Sequence, residues 1–456
     1  MRHHGPGGRK AGGKPVNTPI RDFVNQYASS APARFHMPGH KGVSFLGCES
    51  RDITEIAGAD DLFHASGIIA KSEQNTSRLF GCPTVYSAGG STLCIQAMLY
   101  LAYTRANRRG KVLAGRNAHK SFLNSAILLD FPIKWLWAGT DYLSCPVTPA
   151  QVEQAILEEP EAPFAVYLTS PDYLGNIADI RGIAQVCRAH GVPLLVDNAH
   201  GAYLRFLPES RHPMDLGASM CCDSAHKTLP VLTGGAYLHF EREEDRQNVK
   251  DAMALFGSTS PSYLILQSLD LCNVYLEGLP DRLLAMAPVL AALKGSLLAR
   301  GFTLVGDELL KLTVRTDLWG YSGEEVAEAL EKRNIFCEFQ DEDHIVFLFT
   351  PENPWEDLLR LQETLEALPR RESRAHSLSL CRPEAVLSPR EAFLGPREAV
   401  PVEKSLGRIL SAASVSCPPA VPIVMCGERI DANAQEALRR YGHTQITVVR
   451  EPVPDL

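Results

Sequence analysis

Lys227 sits in the string Asp223-Ser224-Ala225-His226-Lys227-Thr228, and Asp197 opens Asp197-Asn198-Ala199-His200-Gly201, 30 residues earlier. Either residue alone reads as an exposed charge or a strand-end turn. Together they can do chemistry. A lysine amine forms a Schiff base with an aldehyde, and a carboxylate can keep a pyridine nitrogen protonated so that the ring accepts electrons from a carbanion. That pairing is what pyridoxal 5′-phosphate requires.

Other residues extend the pattern. Ser87-Ala88-Gly89-Gly90-Ser91-Thr92 stands directly before a helical stretch beginning near Leu93. Small residues let the backbone approach a phosphate, and a helix N-terminus supplies N–H groups and a favourable dipole. Ser91 and Thr92 add hydroxyl donors. His119, in Asn117-Ala118-His119-Lys120-Ser121, follows an apolar run, where a flat ring could stack on a ligand at the sheet edge. Ser224 and His226 flank the lysine and can donate to phosphate. His200 follows Asp197 by three residues and reads either as a ligand-facing ring or as a buried structural histidine.

The elements that must position these groups alternate. Val112-Leu113-Ala114, Phe164 to Leu168, Val192 to Val196 and Gly235 to Leu238 are short and apolar, as strands covered on both faces are. Helical stretches, notably Leu93 to Arg109 and Ile180 to His190, lie between them. The order implies an α/β domain with a mostly parallel sheet. Ile20 to Ala28 reads as a short helix. Ser260-Pro261 reads as the start of another, with Ser as N-cap and Pro at the first position, running on to about Leu298. Strands at Phe302 to Val305, Lys311 to Arg315, Ile335 to Phe339 and Ile345 to Phe349, with helices at Gly323 to Lys332 and Trp355 to Leu368, predict a smaller α+β domain. The division expected is a flexible tail over 1–16, an N-terminal segment with the large domain over 17–285, a small α+β domain over 286–370 and a C-terminal region over 371–456.

A chain of 456 residues suits two or three domains. Its net charge of −8 argues against nucleic acid and favours cationic ligands. Twelve cysteines occur without a Cys-x-x-Cys pair, which predicts reduced thiols in a cytosolic protein and no metal site. No apolar run is read as approaching a membrane span, and the N-terminus lacks the apolar region of a secretory signal.

The ordered motifs resemble the Orn/Lys/Arg decarboxylase family of bacterial pyridoxal-phosphate enzymes, in its short form without an N-terminal receiver-like wing. The resemblance runs from about Asn17 onward. It rests on Phe35-His36-Met37-Pro38-Gly39-His40-Lys41-Gly42, Asp52-Ile53-Thr54-Glu55, Asp60-Asp61-Leu62, Gly90 to Thr92, His119-Lys120-Ser121, Ser170-Pro171 with Tyr173 and Gly175, Asp197 with Ala199-His200-Gly201, Ser224 to Thr228, Ser258-Thr259-Ser260-Pro261, and Ser414-Val415 with Pro418-Pro419, Pro422 and Gly427-Glu428. It implies an aspartate aminotransferase-like large domain of fold type I. It further implies that Lys227 is the Schiff-base lysine, that Asp197 pairs with the pyridinium nitrogen and that His119 stacks on the ring. Ser91, Thr92, Ser224 and His226 would hold the phosphate, and His200 would lie near the cofactor's phenolic oxygen or the substrate. Thr259 and Ser260 would reach the phosphate of a neighbouring subunit, making a homodimer the smallest active unit. Asn198, Tyr203, Ala88-Gly89, Cys417 and Ala420 depart from the family pattern without removing a cofactor ligand.

The activity this implies is decarboxylation of a basic amino acid to a polyamine precursor, with arginine preferred over lysine or ornithine. Two alternatives stay open. One is transamination or another lyase reaction on the same scaffold. The other is a catalytically silent cofactor-binding regulator.

Overall fold

The computed structural model describes residues 16–139, 142, 144–375, 382–413 and 421–451. The tail expected over 1–16 lies almost wholly outside them, as does the stretch from Ser414 to Ala420.

Seven strands form the main sheet: β1 (Thr84–Ser87), β2 (Val112–Gly115), β3 (Ile133–Leu136), β4 (Ala165–Thr169), β5 (Leu194–Asp197), β6 (Met220–Asp223) and β7 (Ala236–Phe240). Their spatial order is β1-β7-β6-β5-β4-β2-β3. Strands β2 to β6 run parallel, and β7 runs antiparallel to both β6 and β1. Both faces are covered, so the central strands are buried end to end and read as apolar runs. One face, carrying Leu195, Met220 and Cys222, packs on the helix Gly90–Arg105. The other, carrying Val166, Val196 and Cys221, packs on the helices Pro149–Leu157 and Ile180–Ala189 and on the C-terminal region through Ile423, Val424 and Ile430.

The smaller sheet comprises β8 (Leu304–Val305), β9 (Lys311–Arg315), β10 (Phe339–Gln340) and β11 (His344–Leu348), in the order β10-β11-β9-β8. In the C-terminal region β12 (Arg397–Pro401) pairs antiparallel with β13 (Gln445–Val449). A buried fork ties this region to the large domain: Arg116 donates from both terminal nitrogens to Glu428, at 2.5 and 2.6 Å.

Four local expectations are corrected. Ser260-Pro261 does not open a helix. The helix is Tyr263–Glu277, with Ser262 as N-cap making no side-chain capping bond. A turn closes earlier instead, where the Ser260 N–H donates to Ser258 Oγ, a local bond that competes with helix formation. The helical stretch is broken at Gly278, and a second helix, Leu279–Arg300, carries Pro280 in its first turn, where a missing N–H costs nothing. Residues 335–338 are not a strand, because the Ile335 N–H closes the preceding helix on Leu330 O. Finally, Leu279–Arg300 is long and apolar enough to cross a membrane by length and composition. It buries one stripe, Leu279, Leu283, Met286, Leu290, Leu293 and Leu297, in the main core, at the three- and four-residue spacing of an amphipathic helix.

Candidate active site

Parallel strands β5 and β6 end side by side, so Asp197 and the turn after Asp223 meet at one edge of the sheet. Lys227 leaves that turn from the four-residue helix Ala225–Thr228. Its Nζ lies 3.0 Å from His200 Nε2. Burial lowers the Lys227 ammonium from its ordinary value, against the attraction of Asp197. Burial, with Lys311 and Lys227 nearby, pushes the His200 ring well below its own. His200 is therefore a neutral acceptor toward the lysine.

Asp197 is 2 % exposed. Tyr167, from β4, donates to its Oδ2 at 3.3 Å, and the Ala199 N–H donates to Oδ1 at 3.2 Å. These bonds orient the carboxylate while leaving it lone pairs for a further donor.

The Gly-rich turn is built as a cradle. Gly90 has φ +70°, and a Cβ there would meet open space, so nothing covers the backbone at the start of the helix Gly90–Arg105. The Gly90 N–H donates to Gly234 O at 2.8 Å, pinning the turn to the connection between β6 and β7. Ser224 Oγ donates to Ser91 Oγ at 2.9 Å, joining two of the three hydroxyls expected to hold a phosphate. Thr92 Oγ1 and Ser121 Oγ are 2.9 Å apart, and Ser121 Oγ is 2.8 Å from His119 Nδ1. His119 Nδ1 also accepts the Ser121 N–H as the cap of the helix Lys120–Leu129. With Nδ1 an acceptor, the ring proton sits on Nε2 and the ring plane is fixed. His226 Nδ1 donates to Gly235 O at 3.0 Å.

Asp197, His200, Lys227, His119, Ser91, Thr92, Ser224 and His226 thus share one end of the sheet. Thr259 and Ser260 do not join them and are exposed. The departures are accommodated. Asn198 Nδ2 donates to Asp223 Oδ1 at 2.6 Å, and the Tyr203 hydroxyl is buried against the Leu310 N–H. The C-terminal motif from Ser414 to Ala420 lies outside the described residues.

Several groups were not singled out for a role by sequence reasoning. Tyr173 meets His200 edge-on, ring centroids 5.4 Å apart, and donates to Glu338 Oε1 at 3.2 Å. Glu338 is exposed and precedes β10, so an acid beside the small sheet reaches Tyr173, whose ring meets His200 of the large-domain site. Lys311 Nζ lies 3.0 Å from the buried Glu308 carboxylate and donates to Asp172 O at 3.1 Å. Only the Tyr173 motif gave a prior signal. The others come from strands far away in the chain.

The residues fit pyridoxal 5′-phosphate. A half-buried amine lies near a buried carboxylate-bearing strand end, an uncovered helix start lies beside paired hydroxyls, and His200 Nδ1 is buried with no hydrogen-bond partner.

Residues 18–296 match the Orn/Lys/Arg decarboxylase major domain, and residues 373–445 match the C-terminal domain of that family. Among curated relatives, the uncharacterized protein YaaO of Bacillus subtilis is 29% identical, over 93% of this chain and 94% of its own. An arginine decarboxylase of the same organism is 29% identical, over 91% of each. Among solved structures, the Francisella novicida lysine decarboxylase LdcF superposes with a TM-score of 0.77 at 16% identity, covering 95% of this chain and 81% of its own. SPT carrying PLP superposes at 0.55 and 15% identity, over 77% and 85%. The last two likenesses show the fold, that of fold-type-I pyridoxal-phosphate enzymes. The chain belongs to the Orn/Lys/Arg decarboxylase family and is a decarboxylase.

Proposed function

We propose that this family member binds pyridoxal 5′-phosphate and decarboxylates a basic amino acid, arginine in preference to lysine or ornithine, to an amine that feeds polyamine synthesis. The observation that carries the basic substrate is Glu338. It stands against Tyr173, and its charge is felt by Lys227. A carboxylate there attracts a cationic side chain while the amino-acid head enters toward Lys227.

The cofactor, when bound, supplies an electron sink for the bond to the departing carboxylate. The chain's own groups do the rest. Lys227, whose proton affinity burial lowers, would be the amine that holds the aldehyde. Asp197 holds a proton at the ring nitrogen by opposite charge. His119, locked by Ser121, offers a flat face. His200 sits within proton-transfer distance of Lys227 and can receive or return the proton that carbon gains after carbon dioxide leaves. Ser91, Thr92, Ser224 and His226 anchor the phosphate.

We further propose a homodimer with shared sites. Phe35, Phe45 and Leu46 are 96%, 77% and 89% exposed in the segment after the first helix, beside the His-Met-Pro-Gly-His-Lys string, and a second copy would cover them. The ten described cysteines are free thiols, which supports a cytoplasmic location.

A mass-spectrometric screen with arginine, lysine and ornithine tests the reading. Carbon dioxide and agmatine should form fastest. A keto acid product would replace decarboxylation by transamination, and no turnover of any of the three by cofactor-loaded protein would leave the regulator reading standing. Glu338→Gln should raise KM about tenfold for a cationic substrate with little change in kcat, as loss of uniform binding does.

A further inference from the structure

The face of the sheet turned away from the helix Gly90–Arg105 carries a second cluster of chemistry-bearing side chains. His212, Cys221, Asp223 and His239 each direct one potential ligand atom to a common point, all four atoms lying within 4.8 Å of one another. Cys221 and Asp223 are alternate residues of β6, so they share a face. His239 is the cross-strand neighbour of Cys221 on β7. His212 arrives from the turn before the short helix Pro213–Leu216. All four are essentially without exposure. The spacing of cysteines and histidines along the chain gives no sign of the cluster, because three separate segments build it.

We infer that this cluster is a structural metal site, with His212 Nε2, His239 Nε2, Asp223 Oδ2 and Cys221 Sγ as tetrahedral ligands and Zn²⁺ as the fitting ion. The distances agree. Zinc bonds of about 2.0–2.1 Å to nitrogen or oxygen and about 2.3 Å to sulfur place N···O edges near ~3.3 Å and N···S edges near ~3.6 Å. Here His212 and His239 Nε2 are 3.1 and 3.0 Å from Asp223 Oδ2, and Cys221 Sγ is 3.8 Å from His212 Nε2. The remaining pairs lie within 4.8 Å of one another, so the side chains close by up to about an ångström to surround the ion.

The outer contacts suit the same role. Thr84 Oγ1 lies 2.8 Å from His239 Nδ1. Thr84 is then the outer partner that metal-bound histidines usually have, and Asn198, donating to Asp223 Oδ1 at 2.6 Å, is the outer partner of the carboxylate. The Asn198 amide is a donor that a ligating Asp223 next to it can use without adding charge. A thiolate and a carboxylate balance the two charges of the ion, so no net charge is buried. The ion would join β6, β7 and the segment before residue 213, directly behind Ser224 and the turn that carries Lys227.

The test is metal content of the full chain. Protein expressed with zinc in the medium and dialysed against EDTA should retain about one zinc per chain, because the site has no exposed ligand. His239→Gln and Cys221→Ser, each purified in the same way, should retain less than a tenth of that. Expression with cobalt should give the visible bands of tetrahedral Co²⁺, to the red of pyridoxal absorption, together with a thiolate charge-transfer band that Cys221→Ser abolishes. Metal-free wild-type protein that is folded, or zinc that both variants keep, overturns the assignment. Should the variants fail to fold, wild-type stoichiometry and the cobalt spectrum decide it, since octahedral or thiolate-free cobalt also overturns it.

Discussion

Lys227 Nζ and His200 Nε2 stand 3.0 Å apart in a buried pocket, and burial lowers the proton affinity of both. A lysine so placed is a better nucleophile near neutral pH than an exposed one. Schiff-base formation by the apoprotein should therefore rise with pH through a midpoint below the ordinary lysine value of 10.5. Stopped-flow absorbance of cofactor addition measures it. Borohydride should fix the label on the peptide containing Lys227, and recovery on another lysine would refute the assignment. His200→Ala should keep the cofactor and lose about 10²-fold in kcat, the usual contribution of one proton-transfer group.

Asp197→Ala should fold and lose most turnover, by about 10³-fold, because a fixed charge that acts mainly in the transition state contributes on that scale. The variant also strands the Tyr167 hydroxyl, which donates to Asp197 at 3.3 Å. A buried orphan of this kind costs about 1–3 kcal/mol, so thermal stability should fall as well. Asp197→Asn separates the effects. It keeps an acceptor for Tyr167, so stability should return while turnover does not. Near-normal turnover in either variant means that the strand-end aspartate has been misread.

Asp270 lies outside the site and makes stability depend on pH. Burial raises its carboxyl to about 6, although Oδ2 accepts the Ile20 and Arg21 N–H groups and Oδ1 accepts from Ser72. The folded value is above the unfolded one, so the folded state binds the proton more tightly. Its contribution is fully present below the ordinary carboxyl value of 3.8 and is lost as pH rises through about 6. Asp270→Asn keeps an acceptor for the two N–H groups, and Ser72 can turn its proton to Tyr86, 2.7 Å away. The variant should gain about 3 kcal/mol over wild type at pH 8 and almost nothing at pH 4. Urea midpoints at the two pH values check it, and an equal gain at both would exclude titration of Asp270 as the cause.

Contiguous strings made the catalytic half of the site legible. Ser224 to Lys227 and Gly90 to Thr92 carry their chemistry within one turn each, and β2, β4 and β5 announce themselves as apolar runs. What stayed hidden depends on packing between distant segments. Met220–Asp223 did not read as a strand, since half of it is cysteine and its end is a charge. Nothing near Asp197 in sequence indicates that Tyr167 holds it. Glu338 reaches Tyr173 only because the small sheet folds back over the large one. At Ser260-Pro261 a good local signal lost to a serine hydroxyl two residues earlier.

The last prediction concerns the shared site. Thr259 and Ser260 are exposed and stand apart from the cluster around Lys227 in their own subunit. They follow Gly257, whose Cα would bring a Cβ within 3.4 Å of Leu93 in the first turn of the helix Gly90–Arg105. Their loop therefore borders the first turn of that helix, and both residues are exposed, as groups serving a second subunit must be. A two-fold dimer then has two equivalent composite sites. Lys227→Ala should be inactive, and the double variant Thr259→Ala with Ser260→Ala should bind phosphate weakly. Mixed under conditions where subunits exchange, the two should regain activity. In a hybrid dimer both lesions fall in one site and the other is intact, so random exchange restores about a quarter of wild-type activity, half of the dimers being hybrids with one good site. Activity of the mixture, with exchange followed by native mass spectrometry, measures it. No recovery despite observed hybrids would confine each site to a single chain.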